Sequence, residues 1–489
     1  MDGVTLSKLK YGARLSLVAL IVLLSLLFPP LALAQDPVDP DPPPPDVEIQ
    51  AVQGVVTLTN TEDSRTHKVY YQVADSYNAS NSMPLLVAIH GYSGTGQGQL
   101  NLFGVEANSR GWMLVAPDMH NHYAGHPDGQ YALAWSGAQQ DIVQAIEYML
   151  TNYPKIDRNR IYIAGGSMGG LTTLVMASKY PDIFAAAAAW KPITNVADWY
   201  NHIVYVYRRQ SDGLPETELA KQIRREIDPS CSPSGSILSN GSINQQYVTG
   251  CGTPNAEPLE YQRRSPVSMP YPSRNLPIHL WHATGDNLVT YAHSVNLLNS
   301  FNPYRSTPIV LDTVNTTAAQ CNDNGKNHCY NPPPLLDNFG LPATNIFTFL
   351  SAYTRDPNPP TTLSIRTDES KPYFWLDIQQ SGGAHWTEVS ASFSCGANPV
   401  SVTVNDTNPL TLGVNLGTVP KAGSAGLAQA GLGMSAIKYS VKKDNGAATQ
   451  VNYTPGDYLT VSNIDQSVTI TAINAPGTCP LIFMPLVIK

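Results

Sequence analysis

Residues 160–170 read Arg-Ile-Tyr-Ile-Ala-Gly-Gly-Ser-Met-Gly-Gly, a short apolar run that enters a glycine-flanked serine; residues 171–179 (LTTLVMASK) follow with helical spacing. A buried strand, a tight turn and a helix are the context in which G-x-S-x-G carries meaning. The turn strains Ser167 and lifts its hydroxyl to the edge of a sheet, and the glycines are needed because side chains there would collide with the neighbouring strand and helix. The helix N-terminus adds positive potential where an oxyanion would develop.

Outward from this point, short apolar runs alternate with helical patterns. Residues 85–89, 113–116, 161–164, 184–190, 278–281 and 308–313 predict strands, and residues 141–150, 171–179, 293–301 and 345–353 predict helices. Strands alternating with helices imply an α/β fold with a mostly parallel sheet covered on both faces. The first of these strands leads into His90-Gly91-Tyr92-Ser93-Gly94, where such a sheet places its second oxyanion donor. The backbone N–H groups of Tyr92 and Met168 are the expected pair. His90 is read as a structural histidine with a local hydrogen bond.

A serine hydroxyl needs a histidine to take its proton and a carboxylate to orient that histidine. Asp286 lies in a turn after the strand at 278–281, so its carboxylate is expected at the same edge as Ser167; the alternative is an aspartate capping the next helix. Two loop histidines lie downstream, His328 and His385. His328 is favoured as the base because it falls within the alternating α/β pattern, whereas His385 follows an alternating strand at 373–378, beyond the break Asp356-Pro357-Asn358-Pro359-Pro360. Trp190, at the end of the next strand, is read either as a core aromatic or, with Tyr92, as a clamp for an acyl or aromatic group.

These residues resemble α/β-hydrolases of the carboxylesterase and prolyl-oligopeptidase-related type, such as secreted feruloyl or acetyl esterases and polyester depolymerases. The resemblance rests on Arg65-Thr66-His67-Lys68-Val69-Tyr70, on Met83-Pro84 through His90-Gly91, and on Ile156-Asp157-Arg158-Asn159-Arg160 before the nucleophile. Arg264-Ser265-Pro266 and Leu276-Pro277 through Gly285-Asp286 complete it. It covers about residues 50–355 and implies the α/β-hydrolase fold with the chain order Ser, acid, His. The polyester-cleaving members also have a tyrosine and a methionine at the positions of Tyr92 and Met168. An appended small β domain, as in some secreted members, would account for His385.

The ends of the chain are read from composition. Lys8, Lys10 and Arg14 precede a 14-residue apolar run at 15–28, shorter than the ~20 residues a spanning helix needs, and Ala32-Leu33-Ala34 supplies small residues for cleavage. Residues 1–34 are therefore expected to be a signal peptide, residues 35–46 a Pro/Asp-rich linker and residues 47–356 the catalytic domain. A polar insertion at about 195–275 reads as a lid, and residues 361–489 as a C-terminal β-sandwich. The mature protein is expected outside the cell and off the membrane.

Six cysteines fit export; proximity suggests Cys231 with Cys251, Cys321 with Cys329 and Cys395 with Cys479, one of 15 possible connectivities. The loop at 118–126 holds His120, His122 and His126, but the spacing fits no standard ligand set, so neither metal nor cofactor is expected. A formal net charge of −8 gives nucleic acid no electrostatic pull.

The expected activity is cleavage of carboxylic esters, small or polymeric, through an acyl-serine. The alternatives are a serine peptidase of prolyl-oligopeptidase-related type and a polyester depolymerase. Only about 40 residues separate the linker from the His90 loop, too few for a propeller that would select short peptides. The β domain is expected either to bind polymer or to stabilise the catalytic domain; an exposed row of aromatics would favour binding, but Tyr373, Trp375 and Trp386 mix core and surface phases.

Overall fold

The computed structural model describes residues 52–473 apart from 79, 125–130, 208–217, 232–249, 272–274, 322–327, 329–345, 359, 394–399, 407, 417–420, 423–427, 430–431, 433–437 and 455–456. The expected signal peptide and linker lie outside these residues.

Eight strands form one sheet: β1 (Val52–Thr59), β2 (Thr66–Val73), β3 (Met83–Ile89), β4 (Met113–Pro117), β5 (Ile156–Gly166), β6 (Ala186–Trp190), β7 (Ile278–Ala283) and β8 (Val310–Val314). Their spatial order is β1-β2-β4-β3-β5-β6-β7-β8. β1 pairs antiparallel with β2 and β2 with β4, and every other pair is parallel. The helices between them are α1 (Gly96–Ser109), α2 (Ser136–Asn152), α3 (Met168–Lys179), α4 (Val196–His202), α5 (Glu218–Ile227), α6 (Pro258–Arg263) and α7 (Ala292–Phe301), and α8 (Ile346–Ser351) follows β8.

The sequence of β3, MPLLVAI, shows why both faces are covered. All seven residues are buried. Leu85, Val87 and Ile89 point into a core with Ile142 and Ile146 of α2 and Leu171 and Leu174 of α3. Leu86 and Ala88 point the other way, against Leu100 and Phe103 of α1 and Phe347 and Leu350 of α8. An unbroken apolar run in a strand is what burial on two faces demands. All twelve residues of α3 are buried as well, which matches a helix without a polar stripe. The polar stretch expected as a lid folds locally into α4, a π-helical turn Ile203–Tyr207, α5 and α6. Asn195 caps α4 by accepting the N–H groups of Ala197 and Asp198. Cys231 and Cys251 are joined in a disulfide within this insertion. Cys321 is also disulfide-bonded, while Cys329, Cys395 and Cys479 lie outside the described residues.

The C-terminal strands are β9 (Thr362–Thr367), β10 (Lys371–Tyr373), β11 (Leu376–Gln379), β12 (Thr387–Ser392), β13 (Val400–Asn405), β14 (Leu410–Val414), β15 (Lys421–Ala422), β16 (Ala428–Gln429), β17 (Lys438–Lys443), β18 (Thr449–Asn452), β19 (Leu459–Ile464) and β20 (Ser467–Ala472). They make a six-stranded sheet, β18-β17-β20-β13-β12-β9, and a four-stranded sheet, β10-β11-β14-β19, with β15 and β16 as a separate pair. All their pairings are antiparallel. Both main sheets feed one core, with Ile365, Val389, Val402 and Ile470 facing Leu376, Ile378, Leu412 and Val414, which is a β-sandwich.

The alternating run at 373–378 differs from the single strand expected. Phe374 adopts φ 52°, and Tyr373 pairs with Leu376, so the run is a tight hairpin. Tyr373 and Trp375 are fully buried, and Trp375 Nε1 donates to the Pro360 carbonyl. Trp386 lies beneath the Arg366 guanidinium and donates to Gln262, so these three aromatics form no exposed row.

Candidate active site

β5 delivers Ser167 to the carboxyl edge of the sheet and α3 begins at the next residue. Ser167 has φ 56° and ψ −119°, a conformation that costs of order 1–3 kcal/mol and persists only where the surroundings impose it. Its backbone N–H donates to Trp190 O at 3.0 Å and its carbonyl accepts from Leu171 N at 3.0 Å. A Cβ on Gly166 would lie 2.0 Å from Trp190 Nε1, and one on Gly169 would lie 2.3 Å from the Ile89 carbonyl oxygen. The glycines of the motif therefore serve close packing, as the sequence suggests.

Asp286 follows β7 by three residues, and its side chain is completely buried. One carboxylate oxygen accepts the N–H groups of Leu288 and Val289 at 3.1 and 3.0 Å. The other lies 2.7 Å from His328 Nδ1. Burial would raise this carboxyl, but His328, through its charge and hydrogen bond, and Lys191 outweigh it and hold it below the usual carboxylate range. His328 is 1% exposed, and its Nε2 stands 3.2 Å from Ser167 Oγ. With Nδ1–H donated to Asp286, the Nε2 lone pair faces the serine hydroxyl, so the ring can take the proton as Oγ attacks a carbonyl carbon.

His385 is not part of this group. It lies in the β-sandwich, its Nε2 2.8 Å from Asp406 and its Nδ1 2.6 Å from the Gly383 carbonyl. His90 is fully buried with Nδ1 2.9 Å from the Gly91 carbonyl, a local contact of the kind expected. Ile89 and Gly165 are partners in the parallel pairing of β3 and β5, so Tyr92 and Met168, each three residues further on, leave the sheet at the same edge. The Tyr92 ring sits 4.3 Å from Tyr131, and its hydroxyl bonds Gln222 of α5, so the side chain ties the loop after β3 to α5. Trp190 is 6% exposed and packs on Phe103 and against Gly166, the core alternative for this residue.

The spacing of the sequence does not reveal the residues packed beneath Asp286. His282, fully buried, lies with Nε2 2.9 Å from Val289 O and Nδ1 2.8 Å from Ser294 Oγ. Burial pushes it down to about 4, which keeps it neutral beside Asp286. His202 of α4 reaches the Asn287 carbonyl at 2.6 Å, joining α4 to the same turn. Lys191, at φ 43°, donates its backbone N–H to Trp281 O at 2.7 Å. Nothing in their spacing marks these residues; His282 had a signal only in lying four residues before Asp286.

Residues 133–233 match the prolyl oligopeptidase family. Among curated relatives, a feruloyl esterase B of Neurospora crassa is 28% identical over 28% of this chain and 48% of its own. An acetylxylan esterase of Coprinopsis cinerea is 29% identical over 30% of this chain and 40% of its own, so the matches span about half the length of these relatives or less. The solved acylaminoacyl peptidase of Pyrococcus horikoshii is 16% identical, with a TM-score of 0.39, over 57% of this chain and 39% of its own. The strand order and the strained serine between β5 and α3 give this chain the α/β-hydrolase fold, and the segment across that serine, residues 133–233, is similar to the prolyl oligopeptidase family.

Proposed function

We propose that this chain is a serine hydrolase that cleaves carboxylic esters through an acyl-serine. The observation that carries the reading is the line from Ser167 Oγ through His328 at 3.2 Å to Asp286 at 2.7 Å. In this reading Ser167 attacks the ester carbonyl, and His328 takes the hydroxyl proton and gives it to the departing alcohol. Asp286 holds the ring and balances its charge. The backbone N–H groups of Tyr92 and Met168 stabilise the oxyanion. Water, activated by the same histidine, then releases the acid. Similarity to a feruloyl esterase and an acetylxylan esterase favours esters, and an extracellular site of action accords with the apolar N-terminal run.

A peptidase is the second reading, favoured by the family match over residues 133–233. Hydrolysis of p-nitrophenyl acetate and butyrate is to be compared with that of Ala-Pro-p-nitroanilide, with Ser167→Ala as control. Ester turnover lost in the variant, with the anilide untouched, is the expected result. Anilide cleavage that exceeds ester cleavage replaces the esterase with the peptidase, and ester turnover that survives in Ser167→Ala removes the serine mechanism altogether.

A further inference from the structure

A second buried cluster of titratable side chains stands apart from the elements that bear the triad. His67 belongs to β2, His120 to the loop after β4, and Asp141 to α2. All three are buried, and one donor atom from each lies within 4.8 Å of the others. Asp141 is the centre, with Oδ2 2.6 Å from His120 Nδ1 and Oδ1 2.9 Å from His67 Nδ1.

His67 is the unexplained member. It is 3% exposed, yet neither ring nitrogen has a hydrogen-bond partner: Nδ1 approaches Asp141 outside hydrogen-bond geometry. Buried ring nitrogens left in this way are uncommon and call for a ligand or another account. The surroundings are those of a coordinated ion. His120 turns its other nitrogen, Nε2, toward Asp63 at 3.1 Å, and Asn60 donates to Asp141 Oδ1 at 2.7 Å. A carboxylate on the far nitrogen of a histidine, and a donor on the ligating carboxylate, are the outer contacts that orient metal ligands.

We propose that His67, His120 and Asp141 form a divalent transition-metal site, both histidines binding through Nδ1. Two imidazoles and a carboxylate match Zn²⁺. The ion ties β2, the loop after β4 and α2 together, and its role is to stabilise that end of the sheet. The rival account is a cluster held by hydrogen bonds alone, in which Asp141 is satisfied by Asn60 and by the backbone and ring of His120. That account leaves His67 orphaned.

The test uses the full chain, dialysed against EDTA and titrated with Co²⁺ and Zn²⁺ separately. The expected result is one Co²⁺ per chain with the visible absorption of a low-coordinate ion, displaced by Zn²⁺. Saturating Zn²⁺ should raise Tm by roughly 5 °C. Asp141→Asn should abolish both effects, and His67→Gln should weaken Co²⁺ affinity by about a hundredfold. Absence of a Co²⁺ spectrum together with a Tm indifferent to Zn²⁺ in the unaltered protein overturns the proposal, whatever the variants do. Undiminished Co²⁺ binding by His67→Gln also overturns it, because the ion would then sit elsewhere.

Discussion

Replacing Asp368 by Asn should be among the most destabilising single changes outside the hydrophobic cores. Asp368 follows β9, and its side chain is fully buried between two cations from the α/β portion. Lys179 Nζ, at the end of α3, lies 2.7 and 3.0 Å from its oxygens, and Arg263 Nε of α6 lies 2.6 Å away. Arg263 keeps Glu260 at 3.0 Å when Asp368 is neutralised. Lys179, whose side chain is 2% exposed, loses the anion at its head. Removing one partner of a buried pair costs about 3–5 kcal/mol, mostly because the other charge is left uncompensated. For a chain of this size that is a fall in Tm of roughly 3–5 °C. Thermal unfolding followed by tryptophan fluorescence measures it, and Lys179→Met added to Asp368→Asn should recover part of the loss by removing the orphan. Burial would raise the Asp368 carboxyl, but Lys179 and Arg263 hold it below its ordinary value. Its contribution is therefore present above the unfolded value near 3.8 and disappears as pH falls through the lower folded value. The gap between wild type and variant should close at strongly acid pH. A loss under about 1 kcal/mol at pH 7, or a gap that widens in acid, would refute the reasoning.

Two further outcomes separate the site from its surroundings. His328→Ala should lower kcat/KM on p-nitrophenyl acetate by roughly 10³–10⁶-fold while His385→Ala, whose ring bonds Asp406 far along the chain, changes it less than about twofold; the reverse pattern removes His328 from the triad. Gly169→Ala drives a methyl to within 2.3 Å of a backbone carbonyl and should cost about 2 kcal/mol or more by urea unfolding, whereas Gly383→Ala, with nothing within 4 Å, should be neutral. Equal stability of the two alanine variants would show that the turn beneath Ser167 is not tightly packed.

Much of the fold was legible because its determinants are local. A strand buried on both faces must be an unbroken apolar run, and β3 and β6 are such runs. A serine held at positive φ between strand and helix in such close packing must be flanked by glycines, and those glycines adjoin it in the chain. Where a local rule was incomplete the reading went astray. Residues 373–378 alternate like one strand, but a residue at positive φ in the middle makes them a hairpin, and alternation does not reveal φ.

The sequence by itself determined the alternation of strands and helices, the serine at its turn, and the aspartate after β7, because each needs only its neighbours in the chain. Tertiary structure decided which histidine meets that serine, since His328 is 161 residues from Ser167 and 42 from Asp286 and only the closing of those loops brings the three together. It decided equally that Tyr373 and Trp375 are core, that Asp368 neutralises two cations of the α/β portion, and that His67, His120 and Asp141 meet. The physical reason is the same in each case. Periodicity and turn chemistry are written in contiguous residues, whereas a contact across many tens of residues depends on how every intervening element packs.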